Sequence, residues 1–210
     1  MKYMVDSIRD SCLALLTSIL PVSLEGFDSS KSGSNRFMYL ELAEKFNVRF
    51  LLPGGYYKLC QLSEERLKKY DVPTDFTLKY YRGRQALQPL CAGFVNDVIA
   101  TSGPRNQWCC SASWSDVLKT AHKDLRDPTF LSGPPNPLKW ILEWKEDRTM
   151  LAGVCRRCRK QFLAAIDTYR QNIWESLPQM FGIGSSWEEL EVMKVVNYPV
   201  PAPASLSSSS

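Results

Sequence analysis

The chain holds a single histidine, His122, among 210 residues. Hydrolytic triads and histidine-based acid–base steps would all depend on that one ring, which falls inside a helical pattern with no nucleophile motif beside it. Glycine-rich phosphate loops, Walker sequences and dinucleotide fingerprints are absent. The acidic pairs Glu64-Glu65 and Glu188-Glu189 read as solvated helix surfaces rather than paired catalytic carboxylates. The sequence therefore points away from an enzyme.

Long apolar runs are also lacking, since no stretch approaches the roughly twenty residues needed to cross a bilayer. Cys12 to Leu20 could pass for the apolar centre of a signal peptide. Against this, Asp6, Arg9 and Asp10 crowd a region that should be net positive. Ile8, Cys12, Leu15 and Ile19 instead form one helical stripe, which reads as the core face of an amphipathic helix. No long like-charged block exists; with a net charge of +4 and interspersed signs, the chain demands neither nucleic acid nor membrane. Seven cysteines, an odd number without a disulfide-framework spacing, favour reduced thiols and an intracellular setting, cytoplasmic or nuclear. Period-two alternation between hairpin dipeptides and internal repeats are missing too, so the expected fold class is all-α.

What is present is helical periodicity, punctuated by proline. A first helix runs from about Tyr3 to Leu20 and stops at Pro21; Leu24 and Phe27 then make a short hydrophobic turn before a polar loop from Asp28 to Asn35. Tyr39, Leu42, Ala43 and Phe46 mark a second helix, and Pro53 opens a third bearing Tyr56, Tyr57, Leu59 and Cys60. The pattern resumes at Thr74, and Pro89 either kinks it or starts a new helix with Leu90, Phe94, Val95 and Val98. Ser113 with Asp116 resembles a helix start, and Asp127 to Pro137 is the best internal boundary. Trp140, Ile141 and Trp144 share a further helical turn. Cys155, Cys158, Phe162, Ile166, Tyr169, Ile173 and Leu177 lie on one stripe of a long helix that Pro178 limits, and Met180, Phe181, Ile183 and Trp187 fold back over its end. The expected organisation is an N-terminal helical lobe over 1–100, a C-terminal helical lobe with the Cys-x-x-Cys over 101–196, and a disordered Pro/Ser tail over 197–210.

Several short patterns occur in order along the chain: Lys2-Tyr3, then Pro21 with Leu24, Phe27 and Asp28, then Ala43 through Leu52-Pro53 with Tyr57 and Cys60. Gly83-Arg84 with Leu87 follows, and the closing block is Cys155-x-x-Cys158, Arg170, Trp174, Leu177-Pro178, Phe181 and Trp187-x-x-Leu190. Together they resemble the region that follows the BTB/POZ core in basidiomycete fungal BTB-domain proteins. In that family a mixed strand-and-helix core, which dimerises and recruits partners, precedes this region. The present sequence is expected to begin beyond it, either as a stand-alone derivative or as a truncated gene model, so the core's roles attach to no residue here. The resemblance implies a non-enzymatic module for protein–protein interaction.

Cys155-x-x-Cys158 at the head of a helix has a metal-ligand spacing. A structural zinc would need two more donors, for which Cys109 and Cys110 are the candidates; the resembled family shows a spaced cysteine pair in a similar region. Here the pair is adjacent, which converges less readily on one tetrahedral ion and leaves His122 as a substitute for one thiol. The alternative for all four cysteines is small reduced hydrophobes packed in the core. As a redox motif the pair lacks the thioredoxin-like strand–helix context. The run Arg156 to Lys160 makes a zinc-stabilised nucleic-acid or transcription-associated domain the competing function, although the run is short and no stacking aromatics share its face.

Overall fold

A computed structural model describes residues 2–30, 36–70, 72–102, 110–127, 130, 133–147 and 149–197. Among the described residues there are ten α-helices and no strand, as the periodicity predicts. They are α1 (Lys2–Ile19), α2 (Leu24–Ser29), α3 (Arg36–Lys45), α4 (Leu52–Cys60), α5 (Glu64–Leu67), α6 (Thr74–Gly93), α7 (Ser111–Arg126), α8 (Pro137–Glu146), α9 (Arg156–Met180) and α10 (Trp187–Asn197). A 3₁₀ turn, Arg49–Leu51, leads into α4, and a π-helical turn, Phe94–Ile99, extends α6. The expected disordered tail lies outside the described residues, apart from Asn197, which ends α10.

The fold is built around α4. Pro53 sits in its first turn, where a missing N–H costs nothing, and all nine of its residues are buried. Gly54 allows the close approach, because a Cβ there would stand 2.1 Å from the Pro21 carbonyl oxygen. Helices α3, α6 and α9 pack on α4, and one continuous buried cluster draws side chains from both the 1–100 and the 101–196 stretches.

Helix α9 follows the expected stripe: Cys158, Phe162, Ile166, Ile173 and Leu177 are buried, while Tyr169 is half-buried and donates its hydroxyl to the Leu90 carbonyl at 3.0 Å. Its inner face also carries Arg170, whose guanidinium bonds the Leu138 carbonyl at 3.0 Å and Asp28 at 2.5 Å, tying α2 and α8 to α9. Phe181 and Ile183 fold back over the helix end, and Trp187 stacks on Trp174 with ring centroids 5.2 Å apart.

Three local expectations change. Of the expected α1 stripe, Ile8, Cys12 and Leu15 do not face the core: Ile8 and Leu15 are 59% and 54% exposed and Cys12 is exposed as well, whereas Ile19 packs partly buried against the core beside the buried Leu16 and Leu20. The helix carries apolar residues on two sides, and periodicity alone does not say which side the core takes. Of the two readings of Pro89, a new helix start is excluded, since α6 runs through it to Gly93 and then loosens into the π turn. Helix α7 begins at Ser111 rather than Ser113, because Cys110 adopts a left-handed conformation (φ 61°) that turns the chain at its N-cap.

Candidate functional site, a three-thiol cluster

Two helix starts create the site. Cys110 is the N-cap of α7, Cys155 is the N-cap of α9, and Cys158 is the third residue of α9. The segment leading to α9 reaches α7 through Gly153, whose φ of +82° suits glycine; a Cβ there would lie 2.7 Å from Ser113 Oγ. One helical turn deeper, Trp114 of α7 meets Phe162 of α9 edge to face at 5.2 Å, and the Trp114 indole donates to the Ile99 carbonyl at 2.9 Å. These contacts hold the two helix ends together.

As a result the sulfurs of Cys110, Cys155 and Cys158 all lie within 4.8 Å of one another, a grouping able to hold a metal ion. The backbone N–H of Cys155 donates to Cys110 Sγ at 3.0 Å. Cys158 is 6% exposed, whereas Cys110 and Cys155 are half-buried. The left-handed backbone of Cys110 is strain of order 1–3 kcal/mol in a residue with a side chain, the kind of cost held at functional positions.

The electrostatics favour an anion at this place. The positive ends of two helix macrodipoles converge on it, each worth about 0.3–1 kcal/mol to a negative charge nearby. Neither helix has an acidic residue in its first turn, and α9 opens with exposed Arg156 and Arg157, followed by exposed Lys160. These three cations add positive charge at the same end of α9 as the dipole.

Of the sequence candidates, the structure brings together Cys110, Cys155 and Cys158, and Cys109 lies outside the described residues. His122 does not join them. It is exposed on α7 twelve residues beyond Cys110, roughly 18 Å along the axis at 1.5 Å per residue. Cys60 and Cys91 are packing thiols, whose burial pushes each pKa up from 9.0 to about 12.

Sequence reasoning missed a second feature, the outer face of α1. Ser7, Ile8, Ser11, Cys12, Ala14, Leu15 and Ser18 are exposed and uncharged there, and the exposed Asp10, paired with Arg9 at 3.0 Å, borders them. The Ser11 and Ser18 hydroxyls turn back onto the carbonyls of Ser7 (2.9 Å) and Leu15 (2.7 Å), so covering this face would strand few polar groups. The available signal was the uncharged run from Ser11 to Leu20, which a solvent-facing helix side seldom tolerates. No described helix is long and apolar enough to cross a membrane.

A cleft of about 390 Å³ lies between α6 and α8, floored by Cys91 and walled by Leu125, Phe130, Pro135 and Trp140. The rim residues Lys139 and Glu143 pair with each other at 3.8 Å. Comparison with protein-family models, curated proteins and solved structures finds no match to this chain.

Proposed function

We propose that the chain is a non-enzymatic helical module for binding protein partners, akin to the region beyond the BTB core of fungal BTB-domain proteins. The observation that carries this reading is the outer face of α1, three turns of exposed helix in which Ile8 and Leu15 are more than half exposed among uncharged neighbours and the exposed Asp10 stands at the edge, paired with Arg9. Depletion of charge around apolar anchors is the composition of an interface centre rather than of ordinary surface. Residues behind the family resemblance serve as scaffold here: Asp28 pairs with Arg170, Phe181 covers Gly83, and Trp187 stacks on Trp174. Affinity capture with the wild-type chain and with an Ile8→Glu/Leu15→Glu variant of unchanged melting temperature tests the reading. Proteins retained by the wild type and lost by the variant support it; identical retention overturns it.

The thiol cluster fits a structural zinc, with Cys110, Cys155 and Cys158 as donors and Cys109, adjacent in sequence, as the fourth. Zn–S bonds of about 2.3 Å in a tetrahedron put sulfurs roughly 3.8 Å apart, so a spread of up to 4.8 Å needs to contract by about 1 Å or less. The ion would clamp the start of α7 to the start of α9. Metal analysis of the purified protein, with melting curves before and after chelation, tests this: one zinc per chain and a lowered melting temperature on its removal are expected, and no metal with an unchanged curve eliminates it.

Exposed Arg156, Arg157 and Lys160 beside the cluster favour one second reading, a zinc-stabilised nucleic-acid-binding domain. Steeply salt-dependent retention on DNA or RNA would select it over partner binding.

A further inference from the structure

We infer that Cys155 and Cys158 form a peroxide-responsive dithiol whose disulfide state and metal-holding state exclude each other. The coupling to metal rests on the zinc reading above, whereas the dithiol stands on its own geometry.

Three features of that geometry carry the inference. Cys155 is the N-cap of α9 and Cys158 its third residue, so one helix start presents both sulfurs to the same side. Their separation is at most 4.8 Å, and an S–S bond of about 2.05 Å needs a closure of no more than roughly 2.7 Å. Accessibility also divides the roles, because Cys155 is half-buried and reachable by a small oxidant, while Cys158 is 6% exposed behind it and placed to resolve the product.

The chemistry needs hydrogen peroxide and no other reactant. The Cys155 thiolate attacks one peroxide oxygen, breaks the O–O bond and becomes a sulfenic acid as hydroxide leaves. The Cys158 thiolate then attacks the Cys155 sulfur, forming the S–S bond and expelling a second hydroxide. Two sulfurs have each given up one electron, the peroxide has gained both, and two protons from solvent turn the hydroxides into water. Disulfide sulfurs no longer offer thiolate lone pairs to an ion, so of the three clustered donors only Cys110 would remain and the metal departs. Oxidation thereby unfastens α7 from α9 at this end and leaves Trp114, through Phe162 and Ile99, to hold the joint.

The test treats the reduced full-length protein with a small molar excess of hydrogen peroxide. Intact mass, peptide mapping of the cysteines and a chromogenic zinc chelator are followed together. Expected are the loss of two hydrogens, a Cys155–Cys158 cross-link, release of the bound zinc, and reversal by dithiothreitol. Cys110→Ser should lose zinc retention yet still form the cross-link, while Cys155→Ser and Cys158→Ser should abolish it. The inference is overturned if both cysteines remain thiols, if they oxidise separately to sulfinic acids, or if the cross-link uses another cysteine. Zinc retained through peroxide treatment overturns the exclusion while leaving the zinc reading intact. A protein that binds no zinc but forms this cross-link ends the zinc reading and keeps the dithiol.

Discussion

The buried pair between Asp28 of α2 and Arg170 of α9 yields an asymmetric mutational prediction. The Arg170 side chain is 4% exposed and the Asp28 side chain 30%, so the two partners differ in what happens when the other is removed. Asp28→Ala strands a guanidinium in the core with only the Leu138 carbonyl as an identified acceptor. Breaking a buried pair in this way costs 3–5 kcal/mol, and the partial exposure of Asp28 places the expected loss near about 3 kcal/mol. In a chain of this size that lowers the melting temperature by about 6–12 °C. Arg170→Met removes the charge itself: Asp28 turns to water, the Leu138 carbonyl loses a donor, and the cost falls to about 1–3 kcal/mol. The double variant should therefore be no less stable than Arg170→Met alone, because no unpaired buried charge is left. Urea midpoints for the four proteins measure the cycle. Additive losses in the double variant, or an Asp28→Ala protein within about 0.5 kcal/mol of wild type, would refute the reasoning.

Three further outcomes are expected. Gly83→Ala places a Cβ 2.3 Å from Phe181 Cε1 and 2.6 Å from Cys60 Sγ, so it should cost about 1–3 kcal/mol by overpacking, and Phe181→Leu should relieve part of that loss in the same denaturation assay. On α1, Ile8→Asp and Leu15→Asp should each change stability by no more than about 0.5 kcal/mol, whereas Leu16→Ala on the opposite side should cost about 2–5 kcal/mol; comparable losses at all three would restore the core reading of the outer stripe. Burial raises the pKa of Cys60 and Cys91 from 9.0 to about 12 and that of Tyr169 from 10.0 to about 12, so the folded chain holds protons that the unfolded chain releases. Stability from the thiols is fully present below pH 9 and falls as pH rises toward 12, by at most about 1.4 kcal/mol per pH unit for each thiol. Urea midpoints between pH 8 and pH 12 check the slope, and a thiol reagent near pH 8 should modify Cys12 while sparing Cys60 and Cys91.

What the sequence revealed divides along the range of the interactions. Helix α9 was legible because Cys158, Phe162, Ile166, Ile173 and Leu177 repeat at three- and four-residue steps and all of them are buried, so local period and tertiary environment agree. Helix α4 was legible from Pro53 and the aromatic pair beyond it. Helix α1 was misread in orientation although its existence was plain, because two apolar stripes on one helix give the same local pattern whichever side the core occupies. Only the packing of its end against Gly54 and α3 breaks that tie. The thiol cluster shows the same boundary. Spacing alone brought Cys155 and Cys158 onto one helix start, but the arrival of Cys110 from 45 residues away depends on the left-handed turn at its own backbone and on Trp114 seating against Phe162. Asp28 and Arg170 were both visible as motif residues, yet nothing local marks them as partners across 142 residues. Periodicity is a property of one segment, while a site or an ion pair is a property of two. A second segment's position follows from the volume that the core must fill, so the apolar anchors decide which polar residues meet.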